Sequence, residues 1–377
     1  MTRLLLLVAA LLVASASRAA TLTVGLLERA DDERLAPQRS TLAYPGHPAG
    51  PARQGVELAL KESKFQLDAA TLQVRLEAVA VRNADDARAA AKRLHQAGAT
   101  ALLADLPAPL LLAVSSATPL TVFNIGEADD ALRERQCRPN LWHALPSDRM
   151  RADALAQYLI ARRWSRVLLL HGPSALDAQR MASVQGALKR YGLKTAAMRA
   201  FKLSADPRER EFANPLLLTV GVEHDVLWVI DSDGEFARTL PYRTALPRPV
   251  VGDAGLVALA WAPHYERHGA PQLAGRFARH AGRPMTAHDW AAWIAMKTVL
   301  QSALERSELS APRFAIDGFK GTRLSFRAWD RQLRQPLLLS DGQGVIATAP
   351  VDGVLHARDV LDTLGADAAE RLCEATP

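Results

Sequence analysis

The sequence predicts an α/β protein built as two doubly wound, Rossmann-like lobes, and three observations carry that prediction. Two successive strand-then-helix series run along the chain, a junction near 137–147 separates them, and the chain outgrows a single core. With an N-terminal leader set aside, about 360 residues remain, above the roughly 250–300 at which one hydrophobic core stops growing. A hydrophobic content of 49% is enough to fill two cores and argues against disorder.

The first element is the leader itself. Arg3, an apolar run at 4–13 and small residues at 14–20 have the pattern of a secretory signal peptide, with Ser17 and Ala19 placing cleavage after Ala19, so that 1–19 are removed. The run is about half the roughly 20 apolar residues a membrane-spanning helix needs. No cysteine lies nearby to accept a lipid, so a soluble periplasmic protein is expected.

Strand patterns follow at 21–27, 72–81, 100–104 and 120–125. Between the second and third, Asn83 can cap a helix with Asp85 and Asp86 in its first turn, Ala87, Ala90, Ala91 and Leu94 on one face, and Gly98 as its stop. This is a βαβ unit, which implies a parallel sheet. The alternation restarts with a helix from Ser147 to 164, a strand at 166–170, a helix at 175–191 and strands at 195–201, 225–230 and 249–251. After 253 it fades. What remains is a helix at 286–305, started by the capping-box pair Thr286 and Asp289 and carrying Trp290, Trp293 and Ile294 at core spacing, then strands at 321–326, 336–339 and 344–347. The polar segment 28–50, with Pro37, Pro45 and Pro48, reads as a large loop after the first strand, where such folds place ligand contacts.

The net charge is +6, but the basic residues are scattered among acids, and the densest cluster, Arg327 to Arg334, is broken by Asp330. A nucleic-acid partner is not expected. Cys137 and Cys373 are the only cysteines, and in an oxidising compartment an even pair without metal-type spacing reads as one disulfide tying the C-terminus to the middle of the chain.

Ligands of open parallel sheets bind beyond the carboxyl ends of the strands. The candidates there are Glu28, Asp105 and Glu127 in the first lobe, with Tyr44 from the long loop, and His171, Asp231, Asp233 and Asp253 in the second. Such an excess of acids suits an amine, a polyol or a metal-bound species better than an anion. No catalytic residues, cofactor or metal ligands are assigned. HYERH, with His264, Glu266 and His268, lacks the HExxH order and reads as a surface segment, DGQGVIA at 341–347 as a turn between strands, and HGPS at 171–174 as a strand-to-helix turn capped by Ser174. There is no GxSxG, phosphate loop or CxxC, so an enzyme is not expected.

The order and spacing of TLTVGLL at 21–27, RQGVELAL at 53–60, NADDARAAAKRL at 83–94, RPNLWHALPSD at 138–148, HDWAAWIAMKTVL at 288–300 and GFKGTRLSF at 318–326 resemble the type I periplasmic solute-binding proteins of the branched-chain amino acid and amide class. CRPNLWHALPS at 137–147 with DTLGADAAERLC at 362–373 resembles, more narrowly, a subgroup associated with pyrroloquinoline quinone-dependent alcohol oxidation. The resemblance implies two lobes joined by three crossing strands, with 21–144 plus 254–322 in the first and 145–253 plus 323–377 in the second. It implies capture of a small molecule in the cleft, closure about a hinge, and an ABC permease as partner. A ligand sensor or accessory protein for a periplasmic quinoprotein dehydrogenase is the alternative. In amino-acid-binding relatives a hydroxyl-rich segment after the third strand holds the ligand carboxylate. Here that place reads ADLPAPLLL at 104–112, whose prolines remove two backbone donors, so a free amino acid is a doubtful ligand.

Overall fold

A computed structural model describes residues 20–36, 45–309 and 315–373. The leader 1–19 and Tyr44 lie outside the described residues. Strands β1 (Ala20–Arg29), β2 (Leu72–Val81), β3 (Ala99–Asp105), β4 (Thr121–Asn124) and β5 (Leu141–His143) form one parallel sheet in the order β2-β1-β3-β4-β5. Helix α1 (Arg53–Ala69) covers one face and α2 (Ala84–Gln96) and α3 (Ala108–Ala117) the other. The local chemistry is the expected one: Asn83 accepts from the amides of Asp85 and Asp86, and Ala87, Ala90, Ala91 and Leu94 are buried. Helix α3 was not expected from ADLPAPLLL. It forms because Pro107 sits at the N-cap and Pro109 in the first turn, where no intrahelical donor is needed.

The second lobe repeats the scheme. Strands β6 (Arg166–His171), β7 (Lys194–Ala200), β8 (Val226–Ile230) and β9 (Val250–Gly252) make a parallel sheet in the order β7-β6-β8-β9. Helices α4 (Asp148–Ala161), capped by Ser147, and α5 (Ala175–Arg190), capped by Ser174 and Asp177, pack on one face, and the short α6 (Pro215–Thr219) lies on the other side. The buried run of β8, with no polar residue from Val226 to Ile230, is what a strand covered on both faces requires.

From there the chain returns to the first lobe. Strand β10 (Val257–Leu259) leads to α7 (Ala270–Ala281) and to α8 (Ala287–Glu305), which carries the expected Thr286–Asp289 capping box. Helices α1 and α8 touch so closely that a Cβ on Gly55 would meet the Asp289 carbonyl oxygen. Strands β11 (Ile316–Asp317), β12 (Arg323–Phe326) and β13 (Leu333–Arg334) form an antiparallel sheet whose Leu324, Phe326 and Leu333 join the first lobe's core. The chain then crosses once more. Strand β14 (Leu337–Ser340) pairs antiparallel with β10 on one side and with β15 (Val345–Ala349) on the other, and Ala258, Leu337, Leu339 and Ala349 enter the second lobe's core. DGQGVIA makes the turn between β14 and β15, where Asp341 accepts from the amides of Gln343 and Gly344. HYERH lies in turns rather than a helix.

The lobes are thus joined three times, at 144–147, 253–256 and 335–336. A buried polar cluster ties the first and third crossings together. The Arg133 guanidinium donates to the carbonyls of Glu127, Asp129 and Leu145 and to the side chain of Gln332, at 2.9–3.0 Å. Gln332 donates to the carbonyls of His143 and Leu145, and Gln335 to that of Ala144. Lys320, buried over the Trp290 ring, donates to Gln335 and to the Pro336 carbonyl. The C-terminal segment lies over this region. Asp362 receives both Arg327 and Arg334, Gly365 donates to Asp153 of α4, and Cys373 is bonded to Cys137.

Two measurements test this. Arg133→Met removes four hydrogen bonds, leaving the Asp129 carbonyl and the Gln332 side-chain oxygen without this donor, and should cost about 3–5 kcal/mol in urea unfolding. A loss under about 1 kcal/mol would remove Arg133 from the hinge account. Replacing both cysteines by alanine opens a loop spanning 236 positions and should cost up to about 5 kcal/mol on the chain-entropy argument, with dithiothreitol having the same effect on the wild-type protein.

Candidate functional site

A cleft of about 470 Å³ opens between the lobes, beyond the carboxyl ends of both sheets. From the first lobe it takes Arg29 at the end of β1, Arg34 from a 3-10 turn, the 45–48 segment with His47, Gly126 to Ala128 after β4, and His288 in the first turn of α8. From the second come Asp148 and Arg151 of α4, Arg180 of α5, the end of β8 with Ser232 and Asp233, and Asp253. The apolar wall is mostly second-lobe: Leu155, Leu176, Val184, Trp228 and Val257.

Of the residues expected from sequence, Glu127, Asp233 and Asp253 line the cleft. Glu28, Asp105, His171 and Asp231 stand outside its lining, each engaged by other groups of the protein. Glu28 accepts from Arg53, and burial raises its pKa despite that partner. Asp105 accepts from Arg34 at 2.8 Å, and Gly126 makes room for it, since a Cβ there would strike its Oδ1. His171 turns its Nδ1 to the Gly172 carbonyl. Asp231 accepts from the Ala237 amide, and burial raises its pKa.

Glu127 is spent in a telling way. One carboxylate oxygen accepts from the Ala108 amide, the first donor of α3, and the other from the amides of Ala128 and Asp129. Pro109 has no N–H, and the amides of Leu110 and Leu111 turn back to the Pro107 carbonyl. The start of α3 is therefore closed by the protein's own carboxylate.

The charge of the cleft is the main departure from the sequence reading. Four arginines line it, two from each lobe, so the acids do not stand alone. Arg34 is bound by Asp32 and Asp105, and Arg180 reaches Asp253 at 3.3 Å and Asp148 at 3.8 Å. Burial lowers the pKa of Arg29 and of Arg151, and the neighbouring Arg34 and Arg180 respectively add to the effect. His288 is 8% exposed. Burial, reinforced by Arg34, Arg151, His47 and Arg29, holds its pKa well below the ordinary range, so the ring is neutral at pH 7. The arginines escaped the sequence reading because Arg151 and Arg180 sit inside helices, a turn or more beyond the strand ends where candidates were sought. A basic residue one turn after the capped Asp148 was the available signal.

Among the described residues no cluster of three or more His, Cys, Asp or Glu could hold a metal ion, and no helix is long and apolar enough to cross a membrane.

No protein-family model matches the chain, and no curated protein sequence matches it. Solved structures do. A periplasmic binding protein from Burkholderia mallei shares 13% identity and a TM-score of 0.67 over 95% of this chain and 100% of its own. An ABC transporter substrate-binding protein from Sphaerobacter thermophilus shares 13% at 0.69 over 88% and 98%. A Rhodopseudomonas palustris solute-binding protein in complex with 3,4-dihydroxybenzoic acid shares 11% at 0.65 over 87% and 97%. The fold is that of the type I periplasmic binding proteins, and these structural neighbours are solute-binding proteins, not enzymes.

One titration tests the cleft's electrostatics. Burial pushes the Asp148 carboxyl up to about 6, Arg180 and Arg151 pulling it down and Asp130 and Glu127 pushing it further up. Between the ordinary aspartate value of about 4 and that value, the folded protein keeps a proton the unfolded chain has lost, so this group's contribution to stability falls as pH rises. Asp148→Asn removes the titration. Its stability relative to wild type should climb from about pH 4 to about pH 7 in urea unfolding, and a pH-independent difference would refute the assignment.

Proposed function

We propose that this protein captures a small molecule in its interlobe cleft and presents the closed form to an inner-membrane ABC permease, as the substrate-binding component of an importer. The observation that carries this reading is the cleft itself. Its polar groups come in comparable number from two lobes joined by a polar hinge, so one ligand touching both would favour the closed arrangement by its differential affinity. The leader at 1–19 supports a periplasmic location. The R. palustris neighbours in complex with 3,4-dihydroxybenzoic acid and with benzoate make small aromatic acids the first compounds to try.

A part in pyrroloquinoline quinone-dependent alcohol catabolism, as transport protein or as sensor for a quinoprotein dehydrogenase, rests on the segments 137–147 and 362–373. The structure joins the two segments through the Cys137–Cys373 disulfide. Copurification from the native host separates the two: a permease supports transport, a dehydrogenase the accessory role.

For the chain from residue 20 onward, a ligand at a hundred times its Kd should add about 2.7 kcal/mol of stability, raise the melting temperature and reduce the radius of gyration in solution scattering. Binding with an unchanged radius of gyration would refute the closure mechanism.

A further inference from the structure

We propose that the cleft takes a small organic acid, its oxyanion head held between Arg29 of the first lobe and Arg151 of the second beside His288, its apolar body against Leu155, Trp228 and Val257. The inference rests on the capture reading above and adds the ligand's chemical class and the residues that select it.

It begins with what is already engaged. The amides at the start of α3 cannot receive a ligand carboxylate, because Glu127 accepts from Ala108, Pro109 has no donor and the next two amides are internal. Two of the cleft acids are committed as well, while Asp148 keeps one carboxylate oxygen without a hydrogen bond and stands 3.8 Å from both Arg151 and Arg180, cations that an amine would have to join. Glu127 takes three amides, and Asp253 takes the Asp231 amide together with Arg180. Arg34 is held by two carboxylates.

Two guanidiniums are left. Among the described residues Arg151 has one ion-pair contact, Asp148 at 3.8 Å, beyond hydrogen-bonding distance, with Asp253 and Glu127 acting on it only at longer range. Arg29 has no carboxylate partner among the described residues. The Nε of each is buried without a hydrogen-bond partner, and so is Nδ1 of His288, more than nine-tenths buried at the cleft wall. A buried donor left unmade costs free energy comparable to a lost hydrogen bond, and two cations from opposing lobes repel each other as the cleft narrows. An oxyanion between them reverses both effects, since a guanidinium matches a carboxylate or phosphate with paired N–H donors. Neutral His288 fits the same role by offering a nitrogen without adding charge. An amine would add a third cation and leave the donors unmade. The head is thus bound by side chains from both lobes, so closure itself completes its coordination.

The test compares probes that share a body and differ in the head. Benzoate, hexanoate and phenyl phosphate are titrated calorimetrically into the protein from residue 20 onward, against benzyl alcohol, benzylamine and hexylamine. At least one acid should bind at least tenfold more tightly than its alcohol or amine counterpart, and benzoate against phenyl phosphate tells whether the head is a carboxylate or a phosphate. Arg29→Gln and Arg151→Gln should each weaken that acid on the order of ten- to a hundredfold. Should either fail to melt cooperatively, Arg29→Lys and Arg151→Lys keep the charge, lose the paired fork and should still weaken binding. The proposal is overturned if an alcohol or amine binds as well as its acid, or if the arginine variants bind the acid unchanged. The first result leaves the capture reading standing. If none of the six probes binds, the acid proposal falls, and the capture reading is decided by its own scattering measurement.

Discussion

Everything that positions the cleft depends on one buried cation. Arg133 is 3% exposed and sits where the two sheets meet, with its donors on three carbonyls and one glutamine oxygen. Taking a guanidinium out of water costs several kcal/mol unless its donors are all met. Here four of the five are met by groups from different stretches: the 127–129 turn, the first crossing at Leu145 and the approach to the third crossing at Gln332. Burial still lowers the Arg133 pKa against the pull of Asp130, Glu127 and Asp330. The cluster ties those segments together at the junction of the two lobes.

The same residue connects the hinge to the site. Its two bonds to the carbonyls of Glu127 and Asp129 hold the turn that carries the Glu127 carboxylate to the start of α3. With that carboxylate in place, the start of α3 is neutralised from within. Further into the cleft, Asp148 and Asp253 face Arg180, while Arg151 has Asp148 alone as an ion-pair contact among the described residues, at 3.8 Å. Electrostatic selectivity here comes from which arginines the protein has itself neutralised, more than from how many it carries.

Much of the fold was legible because its signals are local. Asn83, Ser147, Ser174 and the pair Thr286–Asp289 cap the helices they were expected to cap, since a capping side chain needs only the next three amides. Strands β5 and β10, three residues each, were missed because alternation cannot register over so short a span. Helix α7 was missed because Leu273 and Phe277 are nearly its whole buried face and Pro271 with two flanking glycines reads as loop. The site was legible only in outline. The rule of strand ends found Glu127, Asp233 and Asp253, yet it could not tell them from Asp105, held by Arg34 from another segment, or Asp231, turned to the Ala237 amide of the loop that follows it. Nor could it find His288, brought to the cleft by a helix packed against α1 far away in sequence.

The two segments that carry the narrower resemblance are, in the structure, one object. Cys137 is bonded to Cys373, Arg149 just beyond the first segment pairs with Glu370, and the Gly365 amide donates to Asp153. A Cβ on Gly365 would press on Met150, so even the glycine of the second segment is set by α4. Their joint presence in a sequence is therefore required by packing around the hinge, whatever the protein binds. From the first segment only Leu145 reaches the cleft, and from the second none does. What distinguishes this protein's ligand has to be written elsewhere, at Arg29, Arg151, His288 and the closed end of α3, positions that neither segment contains.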